Sequence, residues 1–338
     1  MKKTHNYFLL FSNCIPVKGA QRSIICDLQL NRYRFIPTLL YDILQLTRNK
    51  KVTEIKKIYN NQYNKGIDEF FKLLIDEEWG FSTNTPEHLP ELDLKWETSS
   101  EITNFIIDIN KDSDFNYKEI ISQLNELRCE ALQVRSYEII NTEIIIKIAE
   151  LTSGSTMHNI EFILKYYSEL TNDFFEKIIR KNKRIRNIYL HTAIEEKKEA
   201  LPNNLGNIYY SIQKIESESH CGIIHSGFFS SNIELFTESQ HYNNCLNKKL
   251  SIDINGDIKI CPSLKKSYGN INDTPLKSLI NNDEIKKMWG IDKSQIDVCK
   301  DCEFRYICTD CRAFLTDENI LSKPIKCNYD PYTAQWKN

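Results

Sequence analysis

Leu250-Ser-Ile-Asp-Ile-Asn-Gly-Asp-Ile-Lys-Ile-Cys261 and Cys299-Lys-Asp-Cys-Glu-Phe-Arg-Tyr-Ile-Cys-Thr-Asp-Cys311 are the stretches on which the reading of this chain turns. The first alternates apolar and polar residues around Asn255-Gly256. That pattern predicts a hairpin closed by a two-residue turn with positive φ at both central positions. The second spaces Cys299, Cys302, Cys308 and Cys311 as C-x2-C-x5-C-x2-C. With Cys245 ahead and Cys327 behind, the tail from 245 to 327 holds seven of the eleven cysteines. A CxxC turn lets two thiolates converge on one ion, and cysteines from distant loops complete the coordination. Thiolates suit structural zinc and iron–sulfur clusters alike, so spacing alone leaves both open. Disulfides are the competing reading. Tyr7-Phe-Leu-Leu-Phe11 is too short for the apolar core of a secretory leader, and polar Ser12-Asn13 follows it. The expectation is a cytoplasmic chain in a reducing compartment, where close-spaced cysteines bind metal.

Cys245-x10-Gly256-x4-Cys261, the C-x2-C-x5-C-x2-C run and Cys327 together resemble the SPASM domain. That domain is the C-terminal extension of radical-SAM peptide maturases and carries auxiliary [4Fe–4S] clusters. Cys261-Pro262-Ser263, Gly269-Asn270-Ile271 and a helix expected near 276–289 fit the same pattern. One departure bears on Cys311: the family has three residues between its last two clustered cysteines, and this chain has only Thr309-Asp310. More closely, Cys302 to Phe314 resembles the SPASM protein of grasp-with-spasm systems, encoded beside an ATP-grasp ligase and a small precursor peptide. The resemblance implies one cluster on Cys299, Cys302, Cys308 and Cys327, and a second on Cys245, Cys261 and Cys311. For the second cluster's fourth ligand it leaves His241, Cys221 or an open iron. It implies a ribosomally made precursor peptide and an ATP-grasp ligase as partners. The rival reading is a noncatalytic adaptor stapled by zinc.

Ahead of the tail, residues 1–85 read as a self-contained module. Short strands are expected near Phe8–Phe11, Ile24–Cys26 and Tyr33–Ile36, and then three helices. The first helix has Thr38 as its expected N-cap, with Leu40, Ile43 and Leu44 inward. The second turns Ile55, Ile58 and Tyr59 inward. The third carries Ile67, Phe70, Phe71, Leu74 and Ile75 at helical spacing. The order resembles the winged-helix-like, PqqD-like precursor recognition element, which holds an extended leader peptide against a strand edge.

Residues 86–100 read as a linker, and 101–235 alternate strand and helix. Strands are expected at Thr103–Ile109, Ala131–Arg135, Ile160–Lys165 and Ile188–His191, with further strands near Ile208–Ile212 and Gly222–Ile224. Helices are expected at Tyr117–Leu127, Thr142–Leu151 and Thr171–Arg180. Ile106, Val134, Ile163 and Tyr189 recur at about one βα unit each, which predicts an α/β fold with a parallel sheet, a partial (β/α) barrel. The resemblance makes this a radical-SAM core, whose C-x3-C-x2-C motif belongs after the first strand. Asn110-Lys-Asp-Ser-Asp-Phe-Asn116 stands there instead. The implied barrel is therefore degenerate, with no SAM-binding cluster and no SAM cleavage by the usual route. The resemblance makes residues 236–338 the SPASM iron–sulfur domain.

Composition narrows the remaining classes. Lys+Arg of 44 against Asp+Glu of 46 gives a formal net charge of −2, which argues against a nucleic-acid partner. In the third helix and just past it, Asp68, Glu69, Asp76, Glu77 and Glu78 would repel phosphate. No apolar run reaches membrane-spanning length. With ten glycines and neither phosphate-loop pattern, the chain is not itself expected to use ATP. No residue stands out as a catalytic base or nucleophile. Cys14, Cys26 and Cys129 are expected in the core, and His220 and His225 in loops. Arg305 and Arg312 are expected to offset cluster charge, to bind a substrate carboxylate or to lie in solvent. Phe304 and Tyr306 are expected to shield the metal from water.

Overall fold

In the computed structural model, residues 6–337 are described. Contacts divide the chain into two compact units that do not follow sequence order. One takes the chain up to Trp96, Ile224–Asn244 and the stretch from Ile291 onward. The other takes Glu97–Ile223 and Cys245–Gly290.

The first unit begins with strands β1 (Tyr7–Leu10), β2 (Cys14–Val17), β3 (Ser23–Asp27) and β4 (Arg32–Ile36). Helices α1 (Thr38–Leu44), α2 (Val52–Ile58) and α3 (Asn64–Asp76) follow, and then β5 (Gly80–Thr83). Strands β2, β3 and β4 form an antiparallel sheet, and β5 returns to pair with β1. The helices bury Leu40, Ile43, Ile55, Ile67, Phe71 and Leu74 beside Phe8, Ile25 and Ile36. Phe8 stacks on Phe71 at 4.2 Å between ring centroids. Two expectations are corrected here. Pro37, not Thr38, is the N-cap of α1, because the proline ring fixes φ at −59° and Thr38 is already helical. The α2 and α3 stripes are narrower than expected, since Ile58 is 49% exposed and Ile75 is 38% exposed.

In the second unit the strands are β6 (Asn104–Asp108), β7 (Ala131–Arg135), β8 (Asn159–Lys165), β9 (Ile185–His191), β10 (Lys197–Ala200) and β11 (Asn207–Tyr210). Helices α4 (Tyr117–Glu126), α5 (Thr142–Leu151) and α6 (Asn172–Lys181) connect the first four strands, each begun by an Asn or Thr side chain that accepts a backbone N–H. Pairing from β6 through β9 and on to β11 is parallel. Ile107 pairs with Val134, Val134 with Phe162 and Phe162 with Ile188, and all four are buried. The expected series Ile106–Val134–Ile163–Tyr189 is thus out of register. Ile106 lies opposite Gln133, and a one-residue slip puts a side chain on the other face of a strand.

From residue 224 the chain serves both units. Helix α7 (Ile233–Glu238) belongs to the first, and β12 (Lys249–Ile252), β13 (Ile258–Lys259) and α8 (Asp283–Trp289) belong to the second. The short β14 (Tyr329–Asp330) and β15 (Gln335–Trp336) return to the first. Strand β12 pairs in parallel with β6, so the eight-stranded sheet runs β10-β11-β9-β8-β7-β6-β12-β13. The expected strand at Gly222–Ile224 is irregular backbone, with Gly222 at φ 82°. The helix expected near 276–289 is broken into a 3-10 turn, Leu276–Leu279, and α8. No helix among the described residues is long and apolar enough to cross a membrane.

Candidate metal centre

Five of the seven tail cysteines lie in the first unit. Val298, at φ 66° and ψ −44°, turns the chain into a 3-10 turn, Cys299–Asp301, and the Cys302 N–H donates to the Cys299 carbonyl at 3.0 Å. A left-handed φ is rare for a β-branched residue. The Cys308 N–H donates to Phe304, and the Cys327 N–H to Pro324. The thiols of Cys299, Cys302, Cys308 and Cys327 lie close enough to act on one another electrostatically. Buried Lys293 stands among them and donates to the Cys308 carbonyl. Burial pulls this ammonium down, while Cys308, Asp310, Cys299 and Cys302 together hold it above its ordinary value. Burial also pushes the thiols up, Cys299 to about 12 and Cys308 to about 11.

The turn carrying Cys308 and Cys311 is fixed by a buried polar network centred on Asp310. Its carboxylate accepts from Arg312 Nη2 at 2.7 Å, from Asn243 Nδ2 at 2.5 Å and from the Cys311 N–H at 2.8 Å. Asn244 accepts from the Asp310 N–H and donates to the Cys308 carbonyl. Arg312 Nη1 donates to the carbonyls of Ile320 and Ser322. Arg312 therefore braces the turn from a side chain that is 0% exposed and is not available to a substrate carboxylate. Arg305 donates to the carbonyls of Lys18 and Cys302. Phe304 is buried among Tyr33, Phe35, Phe229 and Tyr329, so the β2–β4 sheet packs directly on the cysteine-bearing loop. Glu303, also buried, accepts from Arg22 Nε at 2.8 Å and ties the same two segments together.

In the second unit, Cys245 and Cys261 flank the hairpin, and Lys249 Nζ lies 3.6 Å from Cys245 Sγ. Burial lowers Lys249, while Cys245, Cys261 and Cys221 outweigh it. The hairpin turn is longer than expected. Asp253 Oδ1 accepts from the N–H groups of Asn255 and Asp257, and Gly256 alone takes positive φ, at 82°. An Asp-centred turn thus replaces the two-residue one. His241 lies in the first unit and is exposed. His220 and His225 make short-range backbone hydrogen bonds in loops. Cys14, Cys26 and Cys129 are buried in the cores.

At the C-terminal ends of β6 and β7, Asp108 and Arg135 form a buried two-pronged ion pair at 2.6 and 2.8 Å. Asp108 lines a crevice of about 530 Å³, with Asn110, Tyr137, Glu218 and Asp253 on its walls. The loop expected to bear the radical-SAM motif is closed by Ser113, which donates to the Ile254 carbonyl at 3.0 Å.

All eleven cysteines are thiols. Among the described residues, no three His, Cys, Asp or Glu side chains close on a single ion. The donor chemistry nonetheless fits an iron–sulfur group: sulfur ligands, low exposure and an ammonium beside each set. The two lysines, Asp310 and Asn243 escaped the sequence reading, although Asp310 lies between Cys308 and Cys311, Asn243 two residues before Cys245 and Lys249 four residues after it.

No curated protein matches this chain. Among solved structures, Streptococcus suis SuiB bound to S-adenosylmethionine is 10% identical at a TM-score of 0.32, covering 94% of this chain and 98% of that one. SuiB bound to its precursor peptide SuiA is 12% identical at a TM-score of 0.30, with the same coverage. Residues 244–303, which hold Cys245, Cys261, Cys299 and Cys302, match the sequence model of SPASM, an iron–sulfur cluster-binding domain.

Proposed function

We propose that this chain is a peptide-maturation protein of the grasp-with-spasm type. It binds a ribosomally made precursor peptide and carries two [4Fe–4S] clusters, working with an ATP-grasp ligase. The SPASM match over residues 244–303 carries the reading. The lysine beside each thiol set supports it, since thiolate-ligated iron is net negative and a buried ammonium offsets that charge. Cys299, Cys302, Cys308 and Cys327 hold one cluster, and Cys245 and Cys261 contribute to the other. A bound cluster supplies one-electron chemistry or an anchoring iron. The chain's own part is to exclude water with Phe304, to neutralise charge with Lys293 and Lys249, and to fix the ligand turn through Asp310.

Residues 1–85 are the winged-helix-like leader-binding module in this reading. An extended leader adds to an edge of the three-stranded sheet, whose outer strands are β2 and β4. That sheet packs on the cysteine-bearing loop through Phe304, and this packing supports the reading. Residues 101–235 are then a degenerate radical-SAM barrel.

The test is anaerobic reconstitution of the full chain, with iron and sulfide counted and the spectrum recorded. Iron, acid-labile sulfide and broad absorbance near ~400 nm are expected. Stoichiometric zinc without iron or sulfide would leave only the zinc-stapled adaptor. Titration with the precursor peptide encoded beside the gene should show saturable binding, and its absence would refute the leader-binding role.

A further inference from the structure

We propose that residues 89–94 are a strap over a peptide-binding groove beside β2, and that an extended segment of the precursor displaces it, a role that rests on the leader-binding reading above. Leu89-Pro-Glu-Leu-Asp-Leu-Lys-Trp96 follows the exposure rhythm of a strand: Leu92, Leu94 and Trp96 are half-buried, while Glu91, Asp93 and Lys95 are exposed. Yet residues 91–94 make no backbone–backbone hydrogen bond among the described residues. The neighbouring β2 cannot supply a full ladder. Pro16 has no N–H, and the Cys14 N–H donates to the Phe11 carbonyl at 2.8 Å.

Side chains hold the strap instead. Leu92 and Leu94 pack, as Ile15 does, against the cluster of Val17, Ile24 and Cys26. Arg48 donates to the Leu89 carbonyl and to the Glu91 carboxylate, each at 2.7 Å, and Ser12 Oγ donates to the Pro90 carbonyl at 3.2 Å. This grip is incomplete. The Glu91 side chain is 74% exposed, and an ion pair so open adds little hold. Leu92 and Leu94 also border a cavity of about 260 Å³ that reaches Leu9, Phe11, Cys14 and Leu44. A displacing segment with larger apolar side chains at these two alternate positions would bury more surface than the leucines do. Arg48 offers it a place for a carboxylate just before the first of them. The groove thus fits an extended segment that reads carboxylate, apolar, any residue, apolar. While the strap is seated, it lowers the apparent affinity for such a segment in proportion to its occupancy.

The probe is a fluorescein-labelled synthetic peptide of residues 88–96, followed by anisotropy on full-length protein. Leu92→Ser with Leu94→Ser releases the strap, and this variant should bind the probe at least about tenfold more tightly than the parent does. Glu91→Lys, a surface change that sets the strap against Arg48, should tighten binding of the precursor peptide encoded beside the gene at least about threefold. A serine variant with the parent's circular dichroism that ignores the probe would overturn the groove. Precursor binding to Glu91→Lys no tighter than to the parent would overturn the displacement, and this arm carries the test alone should the serine variant not fold. A precursor that binds no form of the chain would instead refute the leader-binding reading, with the groove still decided by the probe.

Discussion

Replacing Asp310 with Asn keeps the side chain's size and one oxygen while removing its charge. The Arg312 guanidinium, 0% exposed, would then lie buried without its carboxylate, its Nη1 still held by Ile320 and Ser322. Breaking one side of a buried pair leaves an uncompensated charge and costs about 3–5 kcal/mol. Against a domain stability of about 5–15 kcal/mol, that is a large share. The expected result is a fall of that size in metal-free unfolding free energy, followed by urea titration and tryptophan fluorescence. Adding Arg312→Met removes the orphaned charge, so the double variant should recover most of the loss. The two single changes should therefore be strongly non-additive, by well over about 1 kcal/mol. An Asp310→Asn chain within about 0.5 kcal/mol of the parent, or an additive double variant, would refute the argument that this pair braces the cysteine turn.

Three further outcomes follow from the same contacts. Burial keeps the Cys299 and Cys308 thiols protonated up to about 12 and about 11, so metal must displace their protons. Cobalt affinity should therefore fall about tenfold per unit drop in pH for every thiol deprotonated, and a pH-independent affinity would contradict this. Lys293→Met should retain the fold and shift the potential of the bound cluster negative in a redox titration, because a nearby positive charge favours the reduced form. An unmoved or more positive potential would count against the charge-offset role. In Arg135→Met, Asp108 loses the partner that opposes its burial, so its folded-state pKa rises further above the ordinary range. Stability gained from a raised carboxyl is present below its unfolded value and lost as pH rises through the folded one. Arg135→Met should therefore weaken from pH 4 to 7 by urea titration, while Arg135→Met with Asp108→Asn stays flat.

The βα repeats were readable because each strand buries one side of an alternating run under a helix with its own stripe and cap. Register was less readable. Phe105-Ile106-Ile107 is apolar throughout, and only pairing shows that Ile107 shares a face with Val134. The union of β12 with β6 spans nearly 150 residues and leaves no local signal. Thiol spacing marked the candidate ligands, because coordination demands particular turns. It could not mark Lys293 and Lys249, since lysine is ordinarily a surface residue and its burial follows from tertiary contacts alone.

Because β12 is an interior strand of the large sheet, the cysteine-rich tail is not a detachable cassette. Truncation before residue 245 would strip β12 from β6 and bare a row of unpaired backbone groups, a template for intermolecular pairing. Cluster-free chains for control experiments are therefore better made by cysteine substitution than by cutting the gene short. Grafting this tail onto another scaffold would require that scaffold to offer a parallel strand of matching register.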